Sequence, residues 1–429
     1  MPSRLASARM PPGRGSAGEA DAARARLRSP AALELGAVER IVEGDRPGEG
    51  ALAGVPLLVK DMLDVAGVPT TAGSAGWVRR PDEDAASVAA LRGAGAVVVA
   101  KGHTNEWAYG IDGRNPHRPP CRHPEDPRRL PGGSSSGPAV AVAAGLVAAG
   151  LGTDTSGSLR VPAALCGIVA LRPTHGVVPT AGCVALAPTY DVVGPLAGSV
   201  AGVAVLQAVL AGDATLRTAP EQPVVGRTVG VLGGERHPAV RAATGALAEA
   251  GVALVALAPR LTADGATVHA VVQPAEAAAV HARWWPGQEY APEVRERIER
   301  GRGIEAWRYL EAQRSRRELV AELFAEMRAR GADALLTITT EAVAPRRDGD
   351  AADDRADLLR HVVPLSQTGG PVLAIPTTRD DATGLPLGVQ LAGPPRSEAL
   401  LLALGAALER ALPGAGSPPA RAEAARWWP

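Results

Sequence analysis

Lysine is almost absent from this chain of 429 residues, occurring only at Lys60 and Lys101, while every other Lys or Arg position holds arginine. A coding bias towards Arg, Ala, Gly and Pro explains most of these arginines. Arginine keeps its proton at any accessible pH, whereas a buried lysine can lose its proton and act as a base. The two lysines are therefore the candidates for a lysine base, with a structural role as the alternative for each.

Cysteine is also scarce, and the three residues Cys121, Cys166 and Cys183 are too few for a disulfide framework in a chain of this size. A reducing, cytoplasmic environment is the simplest interpretation. Cys121 and His123 stand in the short segment CRHPED, but zinc would need a fourth, well-spaced ligand. We interpret the segment as a proline-rich loop and predict neither a metal nor a cofactor.

The chain also lacks net charge and long apolar runs. Its 45 basic and 45 acidic residues cancel to a formal charge of +0, so no long-range field favours nucleic acid or an anionic membrane. No run of about 18 apolar residues is free of charges, prolines and glycine clusters, which argues against a membrane span. The expected partner is a small molecule, and the sequence leaves the oligomeric state, including a homodimer, open.

Both ends of the chain lack a clear apolar period. Residues 1–30 are rich in Arg, Ala and Gly but have no continuous apolar stretch of the kind found in a secretory signal. We therefore expect a disordered tail at 1–30, one domain at 31–412 and a second tail at 413–429.

Between these ends, apolar segments alternate with helical patterns. The segment PLLVKD predicts a buried strand that ends at Lys60, and AASVAALRGAGAVVVAK predicts a helix followed by a strand. Gly93 and Gly95 lie between that helix and that strand, which is the reverse of the order in a dinucleotide-binding loop. With no repeat and no long linker, the pattern favours one large α/β unit with helices on both faces of a sheet.

Three further segments complete the prediction. The proline-rich and charged residues 114–133 predict a long surface loop. The Ala and Val run PAVAVAAGLVAAGLG at 138–152 suits a helix that is buried nearly all round. Residues 261–330 are charged, rich in tryptophan and mostly helical in pattern, so we expect them to cover the sheet.

The segment GGSSSG at 132–137 has the composition of a flexible linker, but the buried helix predicted directly after it argues against that role. It also matches G-x-S-x-G, the nucleophile elbow of α/β-hydrolases, with Ser135 as nucleophile. That motif needs an apolar strand immediately before it, and here DPRRLPG precedes it. A Ser-His-Asp triad would also need one of eight histidines, none of which has a distinguishing context.

A local S-x-x-K pair is excluded, because Leu57 and Val98 stand three residues before the two lysines. The segments VPLLVKD, PGGSSSGPAVAVAAG and GTDTSGSLRVPAALCGIVALRPTHG, in this order, closely resemble the three signature blocks of the amidase signature family. The resemblance extends over about 51–412, is densest at 132–194 and includes GLPLGVQLAG. The compact amidases that include plant indole-3-acetamide hydrolases are the most similar in pattern. The resemblance implies a single domain with a central mixed β-sheet.

The resemblance also implies a catalytic triad in which Ser158 is the nucleophile, Lys60 the base and Ser134 a serine that follows a cis peptide bond. A serine hydroxyl attacks poorly unless a neighbouring group takes its proton. Burial lowers the pKa of a lysine from its ordinary value of ~10.4, which fits the role of a base. The Ser134 hydroxyl both donates and accepts, so it can relay the proton between the other two groups.

An oxyanion site is implied at the backbone N–H groups of Thr155, Ser156, Gly157 and Ser158. Ser156 stands where the family more usually has glycine. Asp154 and Arg160 are expected to brace the turn through charge-assisted hydrogen bonds.

The function implied is a serine amidase that hydrolyses a small carboxamide. The same family includes glutamine-dependent amidotransferase subunits and enzymes that pass an acyl group to an amine other than water, which is the alternative. A third alternative is a non-catalytic, amidase-like binding module. We expect the variable helical region around Trp284, Trp285 and Trp307 to shape the substrate pocket, whose ligand the sequence does not identify.

Overall fold

The computed structural model describes residues 17–428, and its described residues contain one sheet of eleven strands. In chain order the strands are β1 (Val38–Ile41), β2 (Pro56–Lys60), β3 (Val97–Gly102), β4 (Ala149–Asp154), β5 (Val169–Arg172), β6 (Val192–Ala197), β7 (Thr228–Val231), β8 (Ala253–Ala256), β9 (Ala334–Ile338), β10 (Val372–Arg379) and β11 (Pro386–Ala392). Across the sheet they lie in the order β1-β3-β2-β4-β6-β5-β10-β11-β9-β7-β8.

The sheet is mixed. Strands β4, β6, β5, β10, β11 and β9 form an antiparallel centre. On one side β2 is parallel to both β3 and β4, and on the other side β7 is parallel to β8 and β9. Strand β1 closes one edge antiparallel to β3. The predicted mixed α/β architecture is confirmed.

Helices cover the sheet on both faces. They are α1 (Ala17–Leu27), α2 (Pro30–Leu35), α3 (Ala86–Gly93), α4 (Ser136–Ala143), α5 (Arg160–Cys166), α6 (Val200–Ala211), α7 (Pro238–Glu249), α8 (Leu261–His281), α9 (Pro292–Arg302), α10 (Ala306–Ala329), α11 (Ala351–Leu359), α12 (Val362–Ser366), α13 (Glu398–Ala411) and α14 (Pro418–Trp427). Two 3₁₀ helices lie at Glu106–Ala108 and Ala214–Glu221. No described helix has the length and apolar character that crossing a membrane requires.

Strand β2 shows how the pleat assigns side chains to the two faces. Successive residues of a strand point to opposite sides. Leu57 and Val59 pack in the core beneath α3, α6, α7 and α13, whereas Leu58 packs with α1, α4 and α5. Lys60 follows Leu58 by two residues and so points to the face of α4 and α5. Helices α8, α10 and α12 pack around a further core cluster with β9, β10 and β11.

The two ends of the chain differ from the tails that the sequence predicted. Helix α1 buries Ala20, Ala23 and Leu27, and α14 buries Trp427. The apolar side chains at these positions pack against the sheet and α4, which supplies the free energy that a tail would lack. The predicted disorder of residues 1–16 lies outside the described residues, and the domain limits 31–412 remain a prediction.

The Ala and Val run at 138–152 also differs from its prediction. Helix α4 ends at Ala143, Gly145 takes a positive φ of 65°, and Ala149 begins strand β4. The small residues of this segment fit between β2 and β6, so pairing on both sides selects a strand. Residues 114–133 lack helices and strands as predicted, yet they carry buried residues.

Candidate active site

Lys60 ends β2 inside the protein, with no exposed surface. Its Nζ lies 2.7 Å from Ser134 Oγ and 2.7 Å from Thr153 Oγ1. In the described part of the chain Lys60 forms no ion pair with a carboxylate. Burial therefore lowers the pKa of Lys60 to about 7, against the smaller opposing effects of Cys183 and of more distant carboxylates.

Ser134 is buried at the start of the segment that leads into α4, and the peptide bond between Gly133 and Ser134 is cis. The sequence resemblance implied such a bond at this serine. The Ser134 hydroxyl accepts a hydrogen bond from Lys60 Nζ. The structure thus brings together the predicted base and the predicted relay, which lie 74 residues apart in the chain.

Ser158 lies in the turn between β4 and α5, and its side chain is 5% exposed. The backbone N–H of Ser135 donates to the carbonyl oxygen of Ser158 at 3.2 Å, which ties this turn to the turn of Ser134. Within residues 17–428 no protein hydrogen bond holds the Ser158 hydroxyl. This hydroxyl is therefore available to a ligand.

Asp154 and two arginines brace the turn of Ser158. The Asp154 carboxylate accepts from Gly157 N at 2.8 Å and contacts Arg160 Nε at 3.0 Å and Arg172 Nη1 at 3.1 Å. Burial alone would raise the pKa of Asp154, but the two guanidinium groups outweigh it and hold the pKa well below its usual range. The sequence predicted the brace through Asp154 and Arg160, and it missed Arg172.

Gly157 is the residue of the turn that requires glycine. Its φ is +120°, and a Cβ there would lie 2.5 Å from Cγ2 of Val362. Because the Gly157 N–H is already donated to Asp154, it is withdrawn from the set of oxyanion donors that the sequence predicted. The N–H groups of Thr155, Ser156 and Ser158 have no acceptor within the described residues.

Ser156, the position that departs from the family pattern, has a partner that the sequence did not reveal. Its Oγ lies 2.7 Å from Nε2 of His269, which is a residue of α8. Burial, assisted by Arg355 and Arg316, lowers the pKa of His269 to about 3, so the imidazole is neutral at physiological pH. The hydroxyl of Ser156 thus anchors the turn to α8. A contact across 113 residues leaves no local pattern in the sequence.

The neighbouring serines are structural. Ser135 Oγ donates to the Thr153 carbonyl at 3.1 Å, and Ser136 Oγ lies 2.8 Å from His103 Nδ1. Ser135 does not meet a histidine in the described residues, as the nucleophile elbow would require. These contacts indicate that Ser135 and Ser136 support the surrounding backbone.

Lys101 is equally buried but lies in a different environment. Its Nζ forms an ion pair with Asp61 at 2.9 Å and donates to the Leu63 carbonyl at 2.7 Å. Burial lowers the pKa of Lys101, and the Asp61 carboxylate opposes this effect. These contacts indicate a structural role.

Cys121 and His123 of the CRHPED segment are buried, whereas Glu125 is exposed, so the predicted surface loop is solvated only in part. His123 Nδ1 accepts from Glu125 N at 3.2 Å, and Nε2 lies 2.8 Å from the Leu165 carbonyl. Both ring nitrogens of His123 are thus occupied by the protein backbone. Among residues 17–428 there is no group of three or more His, Cys, Asp or Glu side chains arranged to hold a metal ion.

A cavity of about 320 Å³ lies beside the turn of Ser156. We call it the arginine cavity, because its wall includes Arg297, Arg300, Arg355 and Arg360. His269 and Val363 also line it. His269 contacts Ser156, and the neighbour of Val363 packs against Gly157. His269 thus links the cavity wall to the turn that carries Ser158.

The tryptophans expected to shape a pocket divide into two groups. Trp284 packs with Trp107 and Trp77 at ring-centroid distances of 5.0 and 5.6 Å, within a cluster to which Trp285 also belongs. Trp307 is 60% exposed on α10 and lies outside this cluster. None of the three predicted tryptophans lines the arginine cavity.

Similarity to known proteins extends over most of the chain. A family model described as Amidase matches residues 31–402. A glutamyl-tRNA(Gln) amidotransferase subunit from Anaeromyxobacter dehalogenans (strain 2CP-C) is 37% identical over 434 residues, covering 89% of this chain and 86% of that protein.

Solved structures show the same fold. A crystal structure of an amidase is 31% identical, with a TM-score of 0.82, and the match covers 92% of this chain and 95% of that one. The native peptide amidase from Stenotrophomonas maltophilia is 26% identical, with a TM-score of 0.78 over 94% of this chain and 95% of that chain. A glutamyl-tRNA(Gln) amidotransferase subunit from Thermotoga maritima is 27% identical, with a TM-score of 0.79 over 92% of this chain and 91% of that chain.

Proposed function

Since the chain is an enzyme of the Amidase family, we propose that it hydrolyses a small carboxamide through an acyl-enzyme on Ser158. The contact between Lys60 Nζ and Ser134 Oγ, at 2.7 Å, carries this proposal. With a pKa of about 7, Lys60 is partly neutral at physiological pH and can accept a proton. A structural lysine would need no such environment.

Acylation begins when the Ser158 oxygen attacks the amide carbon. As the new C–O bond forms, the Ser158 proton passes to Ser134 Oγ, and the Ser134 proton passes to Lys60 Nζ. The carbonyl π-electrons move to oxygen, and the N–H groups of Thr155, Ser156 and Ser158 stabilise the resulting oxyanion. Asp154 and Arg160 hold the turn in place during this change.

Breakdown of the tetrahedral intermediate reverses the proton path. The C–N bond breaks, and Lys60 returns its proton through Ser134 to the leaving nitrogen, which departs as ammonia or an amine. Water then attacks the acyl-enzyme while the same relay takes its proton. The C–O bond to Ser158 breaks, the serine regains a proton, and the carboxylic acid is released.

Covalent labelling tests the nucleophile. A fluorophosphonate should phosphonylate Ser158 in the wild-type protein, and peptide mass spectrometry should locate the adduct there. Ser158→Ala should remove both the adduct and the release of ammonia from amides, because the attacking oxygen is gone. Ser135→Ala is the matched control, since it deletes a neighbouring hydroxyl that contacts only the backbone in the described structure.

Two outcomes would overturn the proposal. One is wild-type amide turnover in Ser158→Ala, and the other is an adduct confined to Ser135, which would restore the nucleophile elbow. Circular dichroism of each variant shows whether the fold is retained, so that a loss of activity can be assigned to chemistry.

Transfer to another acceptor is the second candidate. The similarity to an amidotransferase subunit, with 37% identity over 89% of this chain, favours it. In that case the acyl group would pass to an amine acceptor rather than to water. Alternatively, the released ammonia would pass to an acceptor held by a partner protein. Hydrolysis by the purified chain alone supports the amidase, whereas activity that appears only with an added acceptor or partner protein supports the transferase.

A binding module without catalysis receives less support. The contact between Lys60 and Ser134, and the hydrogen bond from Ser135 N to the Ser158 carbonyl, support a catalytic role over a binding module. Absence of an acyl-enzyme with activated esters would favour the binding module. A cytoplasmic location is part of our proposal, and it is supported by three cysteines that are all free thiols.

A further inference from the structure

The arginine cavity has a wall of one charge sign. Four arginines line it, and no aspartate or glutamate does. Buried or half-buried charges are normally paired, because removing a charge from water is costly. Because every charged side chain that lines this cavity is basic, the cavity is electrostatically complementary to an anion.

Two of these arginines are neutralised outside the cavity. Arg300 pairs with Glu296 at 2.8 Å, and Arg360 pairs with Asp357 at 2.9 Å, where both carboxylates are exposed and neither lines the cavity. Each pair uses one nitrogen of its guanidinium group. The electrostatic potential inside the cavity is therefore determined mainly by the other two arginines, Arg297 and Arg355.

Arg297 and Arg355 have no ion pair within residues 17–428. Arg297 donates to the Tyr109 carbonyl and lies 5.7 Å from the centre of that ring. Arg355 forms no protein hydrogen bond in the described residues. Burial and the nearby Arg297 lower the pKa of Arg355 to about 10, so it remains charged at neutral pH. Asp112 attracts Arg355 from outside the cavity, but neither guanidinium group forms an ion pair in the described residues.

A second cavity, of about 400 Å³, shares Tyr109, Arg297 and Arg355 with the arginine cavity. Its wall carries Glu106, Asp112 and Glu293 as well as five arginines, so charged side chains of both signs line that cavity. The arginine cavity differs because every charged side chain that lines it is basic. An anion in the arginine cavity would therefore contact Arg297 and Arg355 without a carboxylate in the same wall.

We propose that the arginine cavity binds a carboxylate of the amide substrate while Ser158 attacks its carboxamide. This inference rests on the proposed amidase function. The substrate class is a monoamide of a small dicarboxylic acid. The wall has no acidic side chain to pair with an α-ammonium group, so glutamine should bind less well than glutaramic acid, which is glutamine without its amino group.

Matched substrates test the charge preference. The kcat/KM values of glutaramic acid, of neutral pentanamide and of glutamine are compared by ammonia release, with succinamic and adipamic acids covering shorter and longer chains. We expect the best monoacid to exceed both pentanamide and glutamine by about tenfold or more, as one charge-assisted contact allows. Turnover without any preference for the monoacids would overturn the cavity proposal and leave the amidase proposal standing.

Variants assign the preference to the arginines. Arg355→Gln should lower the ratio of kcat/KM for the monoacid to that for pentanamide by about tenfold, whereas a general loss of stability would lower both values together. Arg355→Lys should retain part of the ratio. Arg314→Gln, on the exposed face of α10, is the matched control with the same loss of charge. An unchanged ratio in both Arg355→Gln and Arg297→Gln would overturn the proposal.

A binding measurement separates this proposal from the proposed function. Glutarate is titrated calorimetrically into Ser158→Ala, in which turnover plays no part. Binding that Arg355→Gln weakens about tenfold supports the cavity even if no amide is hydrolysed by the wild-type chain, an outcome that would instead overturn the amidase proposal. Absence of both glutarate binding and a monoacid preference would overturn the cavity proposal.

Discussion

Lys60 and Lys101 occupy neighbouring parallel strands, where Val59 of β2 pairs with Lys101 of β3. Both side chains are fully buried. They differ in what their ammonium groups meet: Lys101 has the Asp61 carboxylate at 2.9 Å, whereas Lys60 has the hydroxyls of Ser134 and Thr153. Partners, rather than depth of burial, distinguish the two.

The difference has a direct electrostatic meaning. A carboxylate beside a buried lysine stabilises the ammonium form and opposes the effect of desolvation. Hydroxyl groups accept a hydrogen bond without supplying a full charge, so desolvation prevails and the pKa falls towards neutrality. A protein can thus obtain a structural cation and a base from the same residue type at similar burial.

The largest effect is expected when the base is removed. Lys60→Met should lower kcat/KM for amides by about 10⁴-fold, because Ser134 then has no acceptor for its proton. The fold should survive, since methionine fills a similar volume and leaves no buried charge without a partner. Steady-state ammonia release and thermal unfolding measure the two effects. A variant that keeps a tenth of wild-type activity would show that Lys60 is not the base.

For Lys101 we expect a loss of stability rather than a loss of activity. Lys101→Met should destabilise the protein by about 3–5 kcal/mol, because it leaves Asp61 buried without its partner. Urea unfolding measures this change, and kcat/KM per folded molecule should stay close to wild type. The double variant with Asp61→Asn should recover part of the stability. Wild-type stability in Lys101→Met alone would contradict the structural assignment.

The smallest effect is expected in the pH profile. Only neutral Lys60 can accept the proton, and a pKa of about 7 leaves roughly a tenth of it neutral one pH unit below that value. The kcat/KM should therefore rise about tenfold per unit up to pH 7 and level off above it. Lys101→Met should show the same inflection, because Lys101 takes no part in the relay. A kcat/KM that is constant or falls from pH 6 to 8 would contradict the predicted rise.

Much of the fold follows from local pattern, and the exceptions have a common cause. The strands that end at Lys60 and Gly102, the helix Ala86–Gly93 and the helical region after Leu261 all lie close to their predicted positions. The helix predicted at 138–152 was wrong over residues 149–152, because these small residues have no strong preference and pairing with two neighbouring strands decided their structure. Helix α14 was missed because its apolar residues stabilise the helix only by packing against a sheet that is formed by distant parts of the chain.

The residues of the site also divide into those that a local motif indicates and those that it does not. Lys60, Ser134 and Ser158 stand in ordered motifs, so the resemblance identified them before their contacts were known. Thr153 lies in the same GTDTSGS segment, and the Lys60 contact could have been suspected there. His269 had no such signal, because its contact with Ser156 depends on how α8 packs over the sheet. Packing over such distances is not encoded in a local motif.

The burial of both lysines also limits which reagents can modify the folded protein. Because the only two lysines, Lys60 and Lys101, are fully buried, the folded surface offers no side-chain amine for acylation, acetylation or ubiquitin conjugation. Amine-reactive dyes should therefore reach lysine only when the fold opens. The rate at which the lysines are labelled then reports the rate of unfolding. Immobilisation or cross-linking of the native protein has to proceed through its carboxylates or guanidinium groups instead.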